Sequence, residues 1–282
     1  MPRFINKSFV TTRAEAEDGS LETSVRFLEQ ALPKKPEILV ILGSGLGAYA
    51  DSLDNATVIP YGEIPGFRNP TAPGHKGQLV TGVVAGKNVA LMQGRFHVYE
   101  GYTPAECAFP VMAFGKLGVK KLVVTCAAGG INEKFAVGDM VLVSDYINLT
   151  CPGPLIGFDH SGYGERFIDM SNVFDKAQRS AVKKSFPALG EGVYFYMPGA
   201  QFETPAEIRA VKSLGGDLVG MSLVHEAIMA RRCGMSVLGI CLVTNLASGI
   251  SKTPLSDKDV YDEGKKACEN FGKLLGTVLP KI

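Results

Sequence analysis

The chain has 282 residues, 46% hydrophobic and 20% charged, an ordinary balance for a globular protein and ample for one large α/β domain or two small ones. Its 29 basic and 28 acidic residues leave a formal net charge of +1, which excludes a general pull toward nucleic acid or an anionic membrane; any anion must be held by a local site. No apolar stretch approaches the ~20 residues of a membrane span, Met1 to Gly19 lacks the apolar centre of a signal peptide, and Cys107, Cys126, Cys151, Cys233, Cys241 and Cys268 show neither a CxxC pair nor metal-ligand spacing. The expectation is a reduced, cytoplasmic protein without structural disulfides or metal.

A polar leader, 1–20, precedes an amphipathic helix over Leu21 to Leu32, with Val25, Leu28 and Leu32 on its apolar face. Pro33 and Pro36 punctuate the entry to a first strand, Ile38 to Leu42. That strand runs into Gly43-Ser44-Gly45-Leu46-Gly47 and a short helix predicted over Ala48 to Leu53. Apolar, β-branched runs predict further strands at Gln78 to Val84, Asn88 to Met92, Lys121 to Thr125, Met140 to Val143, Gly192 to Tyr196 and Val237 to Val243, with a short one ending at Val219-Gly220-Met221-Ser222. Between them lie predicted helices over Pro104 to Leu117, Val173 to Ser185, Pro205 to Ser213, Leu223 to Arg232 and Asp257 to Val278. Strands this apolar suit burial on both faces. The economical architecture is one α/β domain, 21–282, with a mostly parallel sheet covered by helices.

Several strands end in small or polar residues, where α/β folds place their ligand crevice. Gly43-Ser44-Gly45 offers backbone N–H groups and a hydroxyl at a strand-to-helix turn, a setting that suits an anion. It also satisfies the loose dinucleotide fingerprint, although no acidic residue ends a second strand about 20 residues on. Arg95, His97 and Tyr99 share one face if the chain stays extended, placing a fixed cation, a titratable donor and a phenol together. Ala127-Ala128-Gly129-Gly130 again offers bare backbone donors. Phe202 and Glu203 stand just before a helix start signalled by Thr204-Pro205-Ala206-Glu207; Glu203 either favours that helix dipole or accepts hydrogen bonds from a heterocycle stacked on Phe202. Asn245, at the end of a very apolar strand, carries an amide that both donates and accepts, as reading a purine edge requires.

Taken in order, Leu42 to Gly47, Gly74-His75-Lys76-Gly77, Gly94 to Gly101, Ala127 to Asn132, Gly199 to Glu207, Gly220-Met221-Ser222 and Thr244-Asn245 resemble the trimeric, low-molecular-mass purine nucleoside phosphorylases, over about Leu21 to Val278. The resemblance implies that family's fold, a twisted, mixed and mostly parallel sheet flanked by helices, and a homotrimer. It implies reversible phosphorolysis of 6-oxopurine (deoxy)ribonucleosides, inosine and guanosine, with inorganic phosphate as co-substrate and no cofactor. Ser44, His75, Arg95, His97, the Ala127 N–H and Ser222 are the implied phosphate ligands. Tyr99, Phe202, Glu203, Val219, Met221, Asn245 and Asp257 are the implied nucleoside contacts, with Tyr163 reaching the sugar pocket of a neighbouring subunit. The catalytic roles fall to His97, Glu203 and Asn245.

Three positions depart from the family pattern: Cys126 in place of a common asparagine, His225 in place of a proline, and Asp257 in place of a histidine that reaches the ribose 5′-hydroxyl. The alternatives are a xanthosine-preferring phosphorylase, a non-catalytic purine- or phosphate-binding protein, and a nicotinamide-dependent dehydrogenase built on the first glycine loop. The dehydrogenase leaves the Arg95–His97–Tyr99 group and the Glu203/Asn245 pair without a purpose.

Overall fold

A computed structural model describes residues 15–282, with side chains from Leu21 onward; residues 1–14 of the expected leader lie outside that range. Helix α1 spans Glu15–Ala31, six residues earlier than the apolar periodicity predicts. Strand β1 (Ile38–Ile41) follows, then a 3-10 helix over Leu46–Ser52 and a short edge strand β2 (Thr57–Pro60). Next come β3 (Gln78–Val84), β4 (Lys87–Gln93), α2 (Pro104–Lys116), β5 (Lys121–Gly130) and β6 (Met140–Ile147). The chain continues through α3 (Lys176–Ser185), β7 (Gly190–Tyr196), α4 (Pro205–Ser213), β8 (Leu218–Gly220), α5 (Val224–Arg232), β9 (Ser236–Leu246) and α6 (Asp257–Val278). Helix α3 starts three residues after the expected Val173, because Asp175 caps it by accepting from the Gln178 N–H, while Val173 and Phe174 are buried ahead of it.

Among the described residues, nine strands form one sheet in the order β2-β3-β4-β1-β5-β8-β7-β6-β9, and β9 also pairs with β5. That extra pairing closes β5, β8, β7, β6 and β9 into a ring. Strands β4, β1, β5 and β9 run parallel side by side, whereas β5/β8 and β6/β9 meet antiparallel at the seams. The sheet is mixed, with a parallel centre, as expected. Strand β1 shows why the centre must be so apolar. Leu39 and Ile41 pack with Phe114 of α2 and Ala227 of α5 on one face; Ile38, Val40 and Leu42 pack with Phe271 and Leu275 of α6 on the other.

The register decides what leaves the sheet together. Ile41 lies beside Met92 of β4 and Val124 of β5, so Gly43-Ser44, Gly94-Arg95 and Cys126-Ala127 emerge at one edge. Between β5 and β9 the register slips at Ala128/Gly129: Ala128 pairs with Val243 and Gly129 with Asn245, leaving Thr244 as the extra residue of a β-bulge.

Candidate active site

The edge of the sheet opens into a cleft of about 260 Å³ lined by residues from eight separate segments. Ser44, His75, Arg95, His97, Tyr99, Ala127, Phe202, Glu203, Val219, Met221, Ser222, Asn245 and Asp257 all line it. Thirteen of the fourteen residues singled out from the sequence therefore share one cavity. Tyr163 does not line it. Its carbonyl accepts from the Arg232 guanidinium and its ring meets Phe158 edge-on at 5.3 Å.

The first glycine loop differs from expectation. The segment after Gly45 is a 3-10 helix, not an α-helix, and Gly45 enters it in the left-handed region at φ 78°. The loop instead takes its shape from its neighbours. The Gly43 N–H donates to Thr125 Oγ1 at 2.9 Å, and that hydroxyl donates to the Ile41 carbonyl at 2.9 Å. Helix α6 presses Gly264 onto the loop so closely that a Cβ on Gly264 would stand 2.4 Å from the Ser44 carbonyl oxygen.

Arg95 to Tyr99 also departs from the extended form expected. Strand β4 ends at Gln93 and a 3-10 turn occupies Val98–Glu100. Glu100 makes that turn: its Oε1 accepts from the His97 N–H at 2.9 Å and from His97 Nδ1 at 2.9 Å. Its Oε2 accepts from the Thr71 hydroxyl at 2.7 Å and from the Thr71 and Ala72 N–H groups, tying in the loop that carries Ala72 and Pro73 to the cleft wall. Burial opposes ionisation of Glu100, but the bonds from His97 and Thr71 outweigh it and lower its pKa to about 2. The three side chains still converge, by a different route. The His97 ring stacks on Tyr99 at 4.5 Å and lies 5.2 Å from His75, whose Nε2 is 3.4 Å from Ser44 Oγ.

A carboxylate only accepts, so the Glu100 contact places the His97 proton on Nδ1 and leaves Nε2 as the titrating atom. Burial is the main reason that His97 has a lowered pKa, opposed by the Glu100 bond. His75 is lowered to about 3, first by burial and then by the charges of His97 and Arg95. Arg95 is 2% exposed, and among the described residues none of its guanidinium nitrogens has an acceptor in hydrogen-bonding geometry. A buried cation with unspent donors is a strong anion ligand.

At the other end, Thr204 and Glu207 close a complete capping box on α4, so Glu203 has no part in capping. Glu203 is buried, its Oε1 lacks a protein donor, and burial raises its pKa. Beside it stand Phe202, 37% exposed, and Asn245. The Asn245 Oδ1 accepts from the Thr244 hydroxyl at 3.1 Å and its Nδ2 donates to the Leu246 carbonyl at 3.2 Å. Gly129 makes room for that amide, since a Cβ there would come within 3.3 Å of Nδ2.

Sequence reasoning missed the groups behind the lining. Tyr194, wholly buried, accepts the Ser222 N–H on its hydroxyl at 3.0 Å. Leu223 follows in the left-handed region at φ 52°, a strained conformation for leucine that turns the chain from Ser222 into α5. Of the departures from the family pattern, His225 leaves both ring nitrogens buried without a hydrogen-bond partner among the described residues. His225 is buried in the first turn of α5, edge-on to Tyr196 at 4.8 Å, and Cys126 sits across from Cys241 with sulfurs 3.2 Å apart. Asp257, the first residue of α6, stands at the cleft wall.

The sequence profile of the family described as Phosphorylase superfamily matches residues 37–280. Purine nucleoside phosphorylase 1 of Geobacillus stearothermophilus is 45% identical over 264 residues, covering 92% of this chain and 96% of the relative. The bovine (Bos taurus) purine nucleoside phosphorylase is 39% identical over 274 residues, covering 93% and 94%. Among solved structures, a schistosoma purine nucleoside phosphorylase in complex with hypoxanthine superposes with a TM-score of 0.87 at 33% identity, covering 96% of this chain and 99% of that one. The Schistosoma mansoni enzyme in complex with inosine gives 0.86 at 33% identity, covering 94% and 96%.

Proposed function

The chain belongs to the phosphorylase superfamily, and from that premise we propose that it is a pentosyltransferase catalysing reversible phosphorolysis of 6-oxopurine (deoxy)ribonucleosides. The observation that carries this reading is the pairing of two buried, unspent groups in one cleft: the donors of Arg95 and the Oε1 acceptor of Glu203. One end suits an oxyanion and the other a base edge, with room for a sugar between.

In this reading Arg95, Ser44, His75, His97, Ser222 and the Ala127 N–H hold phosphate. Tyr99, Val219 and Met221 bound the sugar. Phe202 lies against the base, whose N1–H donates to Glu203. A phosphate oxygen attacks C1′ as the C1′–N9 bond breaks; the electron pair goes to the purine and the sugar passes through a cationic transition state. Phosphate is the nucleophile and its charge stabilises that cation, so the chemistry asks for no protein nucleophile, metal or cofactor. Asn245 donates toward the purine N7/O6 region, where negative charge grows as the bond breaks, and so binds the transition state better than the substrate. His97 Nε2 takes up a proton when the phosphate dianion arrives.

Asp257 accepts from the ribose 5′-hydroxyl, so 5′-deoxyinosine should be a poorer substrate than inosine; equal kcat/KM values would remove Asp257 from that role. Tyr163 serves a neighbouring subunit's cleft in a homotrimer, to be read by sedimentation and by the activity of Tyr163→Ala. Among the described residues no helix is long and apolar enough to cross a membrane. A reducing, cytoplasmic setting, suggested by the scattered spacing of the six cysteines in the sequence, is part of the same proposal.

The deciding experiment is a coupled assay of hypoxanthine release from inosine with and without phosphate, run beside guanosine, adenosine and xanthosine. Strictly phosphate-dependent release, fastest with inosine or guanosine, is expected. Binding without turnover, or xanthosine as the best substrate, would overturn it.

A further inference from the structure

Glu226 is a buried carboxylate that the reaction as drawn does not use. It sits in the first turn of α5, and its Oε1 lies 3.1 Å from Arg95 Nε, with both side chains almost wholly enclosed, at 4% and 2% exposure. The contact is one of charge and proximity, since neither atom has an aligned hydrogen bond. We propose that Glu226 is a positioning residue for phosphate, holding the Arg95 guanidinium by its Nε edge so that Nη1 and Nη2 are presented to the oxyanion.

Three features carry this. First, Glu226 has no other cation: among the described residues Arg95 is its sole ion-pair partner. Of the other titratable groups that feel its charge, burial raises the Cys107 thiol and the Tyr196 phenol and lowers His225 and His97, and only His97 is drawn as taking up a proton with phosphate. Second, the contact is to Nε, the one guanidinium nitrogen that leaves the two terminal nitrogens as a fork, and such a fork matches two oxygens of a phosphate. Third, α5 reaches Glu226 directly from Ser222 through the strained Leu223 turn, so a single segment sets both a phosphate-lining hydroxyl and the counter-charge behind the arginine. A plain structural ion pair would be a poor explanation, because a buried pair is weak evidence for stability.

The proposal rests on the phosphorolytic reading, and the test separates the two. Wild-type protein first establishes phosphate-dependent turnover; if it has none, it is the functional reading that fails. With activity in hand, Glu226→Gln keeps the shape and removes the charge. The expected result is a phosphate KM raised at least tenfold with the inosine KM within twofold of wild type. Glu226→Asp keeps the charge at a shorter reach and should raise the phosphate KM selectively but less, about two- to fivefold. A phosphate KM that is unchanged or lowered in Glu226→Gln, or both KM values rising by the same factor, would overturn the proposal. Should the Gln variant not fold, the Asp variant decides by the same criterion, the ratio of the two KM changes.

Discussion

The two ends of the cleft are built differently. At the proposed phosphate end three lining groups have a second residue behind them, Glu100 behind His97, Glu226 behind Arg95 and Tyr194 behind Ser222, and Thr125 fixes Gly43 next to the lining Ser44. At the proposed base end Phe202 is 37% exposed and, among the described residues, Glu203 Oε1 has no hydrogen-bond partner and the Asn245 amide is held only by its neighbours Thr244 and Leu246. The difference follows from the ligands. A compact dianion rewards donors fixed in advance, whereas a flat base must slide in and out past an aromatic at the rim. In the proposed reading the anion is thus met by groups braced from behind, and the base by groups with fewer supports.

The sharpest way to break this contrast is at the enclosed end. Arg95→Met should lower kcat/KM for phosphate by about two to three orders of magnitude, as loss of one charge-stabilising donor does, ~2.7–4 kcal/mol. Steady-state kinetics at saturating inosine would show it; a loss under tenfold would mean that the arginine faces something else. Next comes Glu203→Ala, which should remove most turnover with inosine, about 1.5–3 kcal/mol for a hydrogen bond to a charged group, while circular dichroism and melting stay near wild type. Near-normal rates would take Glu203 out of the site. Asn245→Asp should change the balance more than the rate, weakening inosine and relatively favouring adenosine, because a carboxylate accepts where the amide donates. An unaltered ratio of the two kcat/KM values would count against the role given to Asn245.

The gentlest probe is pH. His75, lowered to about 3, and His97, lowered in the same direction, both start from 6.5 in the unfolded chain. Below pH 6.5 the unfolded state therefore takes up protons that the folded state refuses, so stability falls as pH falls. His225, lowered by burial, adds to that slope, and Glu203, raised by burial, works against it. Saturating phosphate isolates the first pair, since an anion between the rings favours their protonated forms. The expected outcome is a Tm that declines from pH 7 to pH 5 and declines less with phosphate present. A phosphate-independent slope would place the two rings away from the anion.

Much of this was legible in the residues. Glycine-terminated apolar strands marked the sheet edge, and α4 and α6 fall at the boundaries their caps suggest, Pro205–Ser213 and Asp257–Val278. What was not legible is tertiary. Thr57–Pro60 is too short, and ends on a proline, to announce a strand, and becomes one because β3 offers an edge. The turn at Val98–Glu100 depends on a capping box whose first member is a histidine rather than the usual serine or threonine. Glu226, in a helix with His225 before it and arginines after it, reads as a solvated acid until Arg95 is folded against it.

The slipped register at Ala128/Gly129 separates two kinds of genetic change. Substitution at position 245 swaps the group that the proposed reading sets against the base, in place. Deleting Thr244 would instead remove the extra residue and leave the Asn245 side chain on the face it already shares with Gly129, while taking away the hydroxyl that donates to its Oδ1. Replacement at 245 therefore alters which group the strand presents, whereas loss of Thr244 alters only how firmly the amide is held.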